Sequence, residues 1–129
     1  DKIYGYCVGL DMTRRDMQSG FKDMGRPWDM AKGFDRSAPM SEIYTAASVG
    51  HISAGAVTLA VNGEVRQSGD VNQLIWNVEE TISYLSGLIE LHPGDLIMTG
   101  TPSGVSAVVK GDHLVGHVDG LTDLDITIG

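Results

Sequence analysis

Asn62-Gly63 stands between two runs that alternate apolar and polar residues, and it constrains the backbone more tightly than any other dipeptide in the chain. Both residues tolerate the positive φ that a type I′ turn requires at its two central positions, so the run 56–61 is predicted to reverse and return over 64–68. Residues 111–118 and 121–128 alternate in the same way and read as two further strands. Asn77 is followed three residues later by Glu80, a variant of the capping box, and Val78, Ile82, Leu85 and Ile89 then share one helical face. That spacing predicts a helix over 78–89. Pro93-Gly94-Asp95 predicts a tight turn into a short strand over 96–98, and 99–104 is a loop of small and hydroxyl residues. Residues 40–55 mix Ser, Thr, Ala and Gly without period and read as irregular connection. No repeat, linker or low-complexity tract interrupts the chain, so 1–129 is expected to be one α+β domain, mainly β with two short helices.

The amino-terminal third carries the chemistry. Residues 2–10 are apolar and aromatic between glycines and read as a buried strand. Thr13 and Asp16 offer caps for a helix over 14–24, which Gly25 and Pro27 close. Asp11 then lies where a strand ends beside a helix start, a common place to hold a cation; a turn hydrogen bond is the simpler role for a lone aspartate there. Lys32 follows on the next extended segment between Ala31 and Gly33, where partial burial would suit it to stabilise a developing enolate. Segment 33–39 is read as a strand that breaks into a loop, and Trp28 as a packing residue.

Charge and cysteine count exclude several classes. A net charge of −8 argues against general nucleic-acid binding. Six of the nine basic residues nevertheless fall between positions 14 and 36, interleaved with Asp16, Asp23, Asp29 and Asp35. A solvated face accounts for them; a cationic pocket for a small carboxylate is the sharper alternative. One cysteine and four scattered histidines make no zinc pattern. His113 and His117 would stand ~13 Å apart along a strand and are read as surface residues. There is no Gly-x-Ser-x-Gly, and the 99–104 loop lacks the Gly-Lys-Ser/Thr ending of a P-loop, though its backbone N–H groups suit an anion. No apolar run approaches the ~20 residues that span a bilayer. Cys7 lies within the first strand and is read as a small buried hydrophobe, so a reducing, cytoplasmic setting is expected.

Taken together, Asp11-Met12-Thr13-Arg14-Arg15-Asp16-Met17-Gln18, Gly25-Arg26-Pro27-Trp28 with Ala31-Lys32, Pro93-Gly94-Asp95 and Thr99-Gly100-Thr101-Pro102-Ser103-Gly104-Val105 resemble the fumarylacetoacetate hydrolase family, in order and over nearly all of the chain. The likeness is nearest to its bacterial fumarylpyruvate-hydrolysing branch. It implies a mixed β-sandwich roll that binds a divalent cation, Mg²⁺ first with Mn²⁺ and Ca²⁺ as alternatives, through three acidic side chains. It also implies a dimer or higher homo-oligomer. The implied substrates are 2,4-diketo acids of aromatic catabolism, small anions held on the metal. By position, Asp11 resembles the third metal carboxylate. Arg15 and Gln18 would face the substrate carboxylate or oxo groups, Lys32 would stabilise the carbanion, and Gly100 with Thr101 would bind a carboxylate.

The same resemblance assigns the family's remaining ligands to a Glu-x-Glu strand, and its water-activating His and Glu to a lid, both upstream of this stretch. The sequence opens on Asp1 and contains no Glu-x-Glu, so the expectation is a catalytic-domain segment that alone binds metal weakly and turns over little. Oxaloacetate decarboxylation or isomerisation on the same scaffold is the nearest alternative activity. A truncated, non-catalytic binding or assembly module is the alternative of another class, and an upstream Glu-x-Glu strand in the reading frame would exclude it.

Overall fold

The computed structural model describes residues 2–129. The turn at Asn62-Gly63 forms as its chemistry requires, with φ of 52° and 80° at the two residues. It joins β3 (Ala56–Val61) to β4 (Glu64–Asp70), and Val61 pairs with Glu64 across it. The Asn62 side chain holds more than the turn. Its amide donates to Asp112 Oδ1 at 2.9 Å, and its carbonyl accepts from His113 N–H at 2.9 Å. The hairpin is thereby tied to β5 (His113–Val118), which pairs with β3, and β6 (Leu124–Thr127) completes an antiparallel sheet of order β4-β3-β5-β6.

The register of this sheet slips once. Leu59 faces Gln67 but Ala60 faces Val65, so Arg66 is the additional residue of a bulge. Beyond it β4 runs two residues further than the alternation indicated and ends in a capping box. There Asp70 Oδ1 accepts from Asn72 N–H, and Gln73 Oε1 accepts from Asp70 N–H.

Residues 2–10 are extended but only Gly5–Tyr6 (β1) is a regular strand, paired with Tyr44–Thr45 (β2). The expectation of one continuous buried strand is corrected. The partner stretch contains Pro39, which has no N–H to give, so a ladder cannot continue through it. Isolated bonds replace the ladder: Ser41 N to Val8 O at 2.8 Å, Leu10 N to Pro39 O at 3.1 Å and Met12 N to Ser37 O at 2.8 Å. Residues 40–55, read as irregular, hold β2 and a short α3 (Ala46–Val49).

α1 spans Arg15–Asp23, and Gly25 at φ 61° closes it with Arg26 N–H bonded to Phe21 O at 2.8 Å, a Schellman ending. Neither Thr13 nor Asp16 caps it; its N-cap is Arg14, without a side-chain bond. Lys32 ends a one-turn helix, α2 (Asp29–Lys32), rather than sitting on an extended segment. α4 (Val78–Ser86) has the expected box, Asn77 Oδ1 accepting from Glu80 N–H at 2.8 Å, but stops at Gly87, leaving Ile89 exposed. Residues 96–98 form no strand, which corrects the expectation of a short one there. Among the described residues no helix is long and apolar enough to cross a membrane.

The core gathers Val61, Leu114 and Leu124 from the sheet with Val8 from the amino-terminal segment. Contact is made at Gly116 on β5. A Cβ there would stand 3.2 Å from Val8 Cγ1 and 3.5 Å from Leu10 Cδ2. The missing side chain lets the segment that leads to Asp11 lie directly on the sheet. Gly116→Val is expected to cost about 1–3 kcal/mol by overpacking, measured as a lower urea midpoint at unchanged m-value.

Between β5 and β6, His117 faces two carboxylates, Asp123 Oδ1 at 2.6 Å on Nδ1 and Asp119 Oδ1 at 3.1 Å on Nε2. Both ring nitrogens must carry hydrogen to satisfy both acceptors, and the bonds to Asp123 and then Asp119 raise the imidazole above its ordinary 6.5. A raised folded-state value contributes stability that is complete below the unfolded value and is lost as pH rises through the folded one. Urea midpoints are therefore expected to fall as pH climbs above 6.5, the ordinary value for this imidazole, and His117→Gln is expected to flatten that slope.

Candidate active site

Five backbone and side-chain links frame the amino-terminal site. The Leu10 and Met12 amides bond to Pro39 and Ser37, Arg14 N–H bonds to Ala31 O at 3.0 Å, and Ala31 is fully buried beneath them. This frame lays the stretch from Leu10 to Arg14 along α2 and sets Lys32 opposite Asp11 and Thr13. The Lys32 ammonium donates to Asp11 Oδ2 at 2.7 Å and to Thr13 Oγ1 at 2.8 Å. An ammonium has three hydrogens, so the third remains for a ligand oxygen. Thr13 also donates to Asp11 O at 3.2 Å, which explains why its hydroxyl is not at the α1 terminus. Lys32 is about two-thirds buried and Asp11 about half.

Arg15 and Gln18 stand one turn apart on α1, and the guanidinium donates to Gln18 Oε1. Gln18 is buried while Arg15 reaches solvent. The basic cluster divides along these lines. Arg14 lies over the Phe34 ring at 4.4 Å, Arg15 and Lys32 have polar partners, and Lys22, Arg26 and Arg36 are exposed. Trp28, read as packing, is 43% exposed, and its carbonyl accepts from Ala31 and Lys32 N–H. Burial pushes the Cys7 thiol up, away from thiolate character, and it bonds weakly to Met40 Sδ at 3.8 Å.

The second part is the 99–104 loop. Gly100 and Gly104 take φ of 115° and 102°. A side chain on Gly104 would collide with the Arg66 carbonyl, so the loop lies against β4 at its bulge. The Thr101 hydroxyl accepts from Gln67 Nε2 at 2.7 Å. Among the described residues none of the loop's N–H groups is taken by a backbone acceptor, which leaves those of Gly100, Thr101 and Ser103 for a ligand. Met98 Sδ lies 3.5 Å from the Cβ position of Gly9, so the loop begins beside the segment that carries Asp11. No hydrogen bond joins the two parts among the described residues.

Asp11 offers a hard-cation ligand, with Oδ1 unengaged. No group of three or more His, Cys, Asp or Glu side chains that could hold a metal exists among the described residues. The residues fit one corner of a cation site and do not complete it. Sequence reasoning missed two members of the arrangement, Thr13 and Gln67. Gln67 alone left a signal, an amide on a strand, but its inward direction depends on the bulge.

A family model for the fumarylacetoacetate (FAA) hydrolase C-terminal domain matches residues 1–129. The chain is 50% identical over 127 residues to a fumarylpyruvate hydrolase of Ralstonia sp, spanning 98% of this chain and 66% of that protein. It is 41% identical over 124 residues to the mitochondrial oxaloacetate tautomerase of Rattus norvegicus, spanning 96% of this chain and 56% of that protein. The fold superposes with TM-score 0.95 on the crystal structure of fumarylpyruvate hydrolase from Pseudomonas aeruginosa in complex with Mn²⁺ and pyruvate, at 54% identity, covering 97% of this chain and 54% of the other. The chain thus spans little more than half to two thirds of the length of these relatives.

The Lys32–Asp11 pair is open to water on one side, and such pairs contribute about 0–1 kcal/mol. Lys32→Met is expected to lower the unfolding free energy by no more than about 1 kcal/mol, read from the urea midpoint and m-value, which separates its role from folding.

Proposed function

The chain belongs to the fumarylacetoacetate hydrolase family, and on that premise we propose that it carries part of the active site of a metal-dependent acylpyruvate hydrolase, with fumarylpyruvate, cleaved to fumarate and pyruvate, as the preferred substrate. The observation that carries the proposal is the Lys32 ammonium, held by Asp11 and Thr13 with one hydrogen free. The relatives support the substrate class: one is named a fumarylpyruvate hydrolase, and the solved one holds Mn²⁺ and pyruvate.

In this scheme Asp11 contributes one carboxylate to a divalent cation, Mg²⁺ or Mn²⁺, which when bound would polarise the oxo groups of the substrate as a Lewis acid. Arg15 and Gln18 orient the carboxylate and oxo oxygens, and the Gly100 and Thr101 N–H groups with the Thr101 hydroxyl receive a carboxylate. Water adds to the acyl carbonyl, the C–C bond breaks to release fumarate, and its electron pair becomes the enolate of pyruvate. The proton that water gives up is balanced by the one that the enolate carbon takes to become pyruvate. Lys32 donates its free hydrogen to the oxygen on which that charge develops, a contribution that grows toward the transition state. Lys32 and Asp11 supply no base for the water, since one is a cation and the other is bonded to it. Placement in cytoplasmic aromatic catabolism and a dimeric or larger assembly belong to the same proposal. The exposed Ile75, Leu88 and Val109 supply apolar surface for such association.

The named oxaloacetate tautomerase supports one second activity, enol–keto interconversion of oxaloacetate, in which the Lys32 ammonium would again face an enolate oxygen. The intact protein, assayed by loss of acylpyruvate absorbance with Mg²⁺ or Mn²⁺, is expected to hydrolyse fumarylpyruvate and to stop when metal is chelated. Lys32→Met is expected to lower kcat by about 10²–10³-fold, as loss of one aimed donor does, and Asp11→Ala to weaken metal binding in titrations. Oxaloacetate turnover faster than that of every acylpyruvate tested would replace the hydrolase with the tautomerase.

A further inference from the structure

We infer that Gln67 is a positioning residue for the 99–104 loop: its buried side-chain amide spends both hydrogens on the loop, which leaves the Thr101 hydroxyl hydrogen to point at a substrate carboxylate. The inference deepens the proposal above and rests on its assignment of that loop to a carboxylate.

Gln67 is only 7% exposed, on a strand whose neighbours Arg66 and Ser68 face solvent. An amide in such a place is costly unless its polar atoms are paired. Here Nε2 lies 2.6 Å from Pro102 O and 2.7 Å from Thr101 Oγ1. A carbonyl oxygen can only accept, so the end of the amide that faces Pro102 is its NH₂. The same NH₂ must therefore donate to Thr101, and the hydroxyl must accept. A hydroxyl that accepts from the protein keeps its own hydrogen for a partner elsewhere. That is the polarity an anion requires, and a glutamate at position 67 would reverse it.

The bulge supplies the aim. Arg66 is the unpaired residue between the Leu59–Gln67 and Ala60–Val65 pairs, and a bulge redirects the side chain that follows it. The loop is seated against the strand at two further places. A Cβ on Gly69 would stand 3.1 Å from the Pro102 ring, and one on Gly104 would strike the Arg66 carbonyl. Gln67 is the polar contact among these steric ones and the one that fixes the direction of a donor.

The test measures pyruvate binding to the Mn²⁺-loaded intact protein by calorimetry. Gln67→Met and Thr101→Val are each expected to weaken binding about tenfold, the loss of one hydrogen bond to a charged group. The double variant is expected to bind no more weakly than Thr101→Val alone, because Gln67 acts through that hydroxyl. Additive losses of about a hundredfold, unchanged binding in Gln67→Met, or no pyruvate binding by the wild type would each overturn the inference. Should Gln67→Met fail to fold, the side-chain NH₂ resonances of Gln67 in the wild type decide: a shift on pyruvate saturation supports the role, and immobility overturns it. Wild-type protein that hydrolyses no acylpyruvate, yet shows the expected binding pattern, would sink the hydrolase and leave Gln67 in place. Normal hydrolysis with unchanged binding in Gln67→Met would do the reverse.

Discussion

The amino-terminal segment can reach its place only because β5 has no side chain at Gly116. Val8 comes closer than ordinary contact, and Leu10 to within it, of the position a Cβ would occupy there, and Val8 is one of the few buried apolar residues among those described. Burying a valine contributes about 1.5–3 kcal/mol, so the crossing is stabilised by the same contact that a larger residue would abolish. Asp11 is the residue after Leu10, and the bonds to Pro39, Ser37 and Ala31 carry the frame onward to Lys32. A vacancy in the middle of the sheet thus determines where the carboxylate and the ammonium meet.

The two parts of the site are held by different physics. Asp11 and Lys32 meet in a half-open place where their attraction adds little to stability. The backbone around them, with Ala31 buried beneath, does the positioning. That arrangement leaves the third hydrogen of the ammonium without a partner among the described residues. Gln67 lies in the opposite regime, buried, where an unpaired amide would be expensive and a paired one is held firmly. The charged pair is left near water, while the neutral amide bonded to the loop is taken out of it.

How much of this was legible in the sequence follows from the range of the interactions. The Asn62-Gly63 turn and the Asn77–Glu80 box formed as read, because each is settled by residues within four positions. The family and the α+β fold class were legible through motifs distributed along the chain, and the family model and the superposition agree with them. Failures occurred where a distant partner decided. Thr13 is a competent cap locally, but its hydroxyl is engaged by Lys32, nineteen positions on. Residues 2–10 have the composition of a strand, but the pairing slips by one residue between Tyr6–Tyr44 and Gly9–Met40, and beyond it Pro39 has no N–H to give. Residues 96–98 have strand composition and pair with no strand of either described sheet. Gln67 was missed for a subtler reason: one additional residue in β4 bears on which way its amide faces, and alternation read along a single strand cannot show a slip against its neighbour.

The same slip bears on how a loop and a strand end so far apart in sequence can serve one ligand. Asp11 and Thr101 are ninety positions apart, and no hydrogen bond among the described residues runs between their two groups. Each is instead fixed to the sheet, one over Gly116 on β5 and the other against the bulge in β4, with β3 between the two strands. Among the described residues the sheet connects them, together with the approach of Met98 Sδ to Gly9. A ligand that touched both would therefore gain from donors already aimed, without having to order the loop itself, and its affinity would depend on the sheet's register as much as on any residue it contacts.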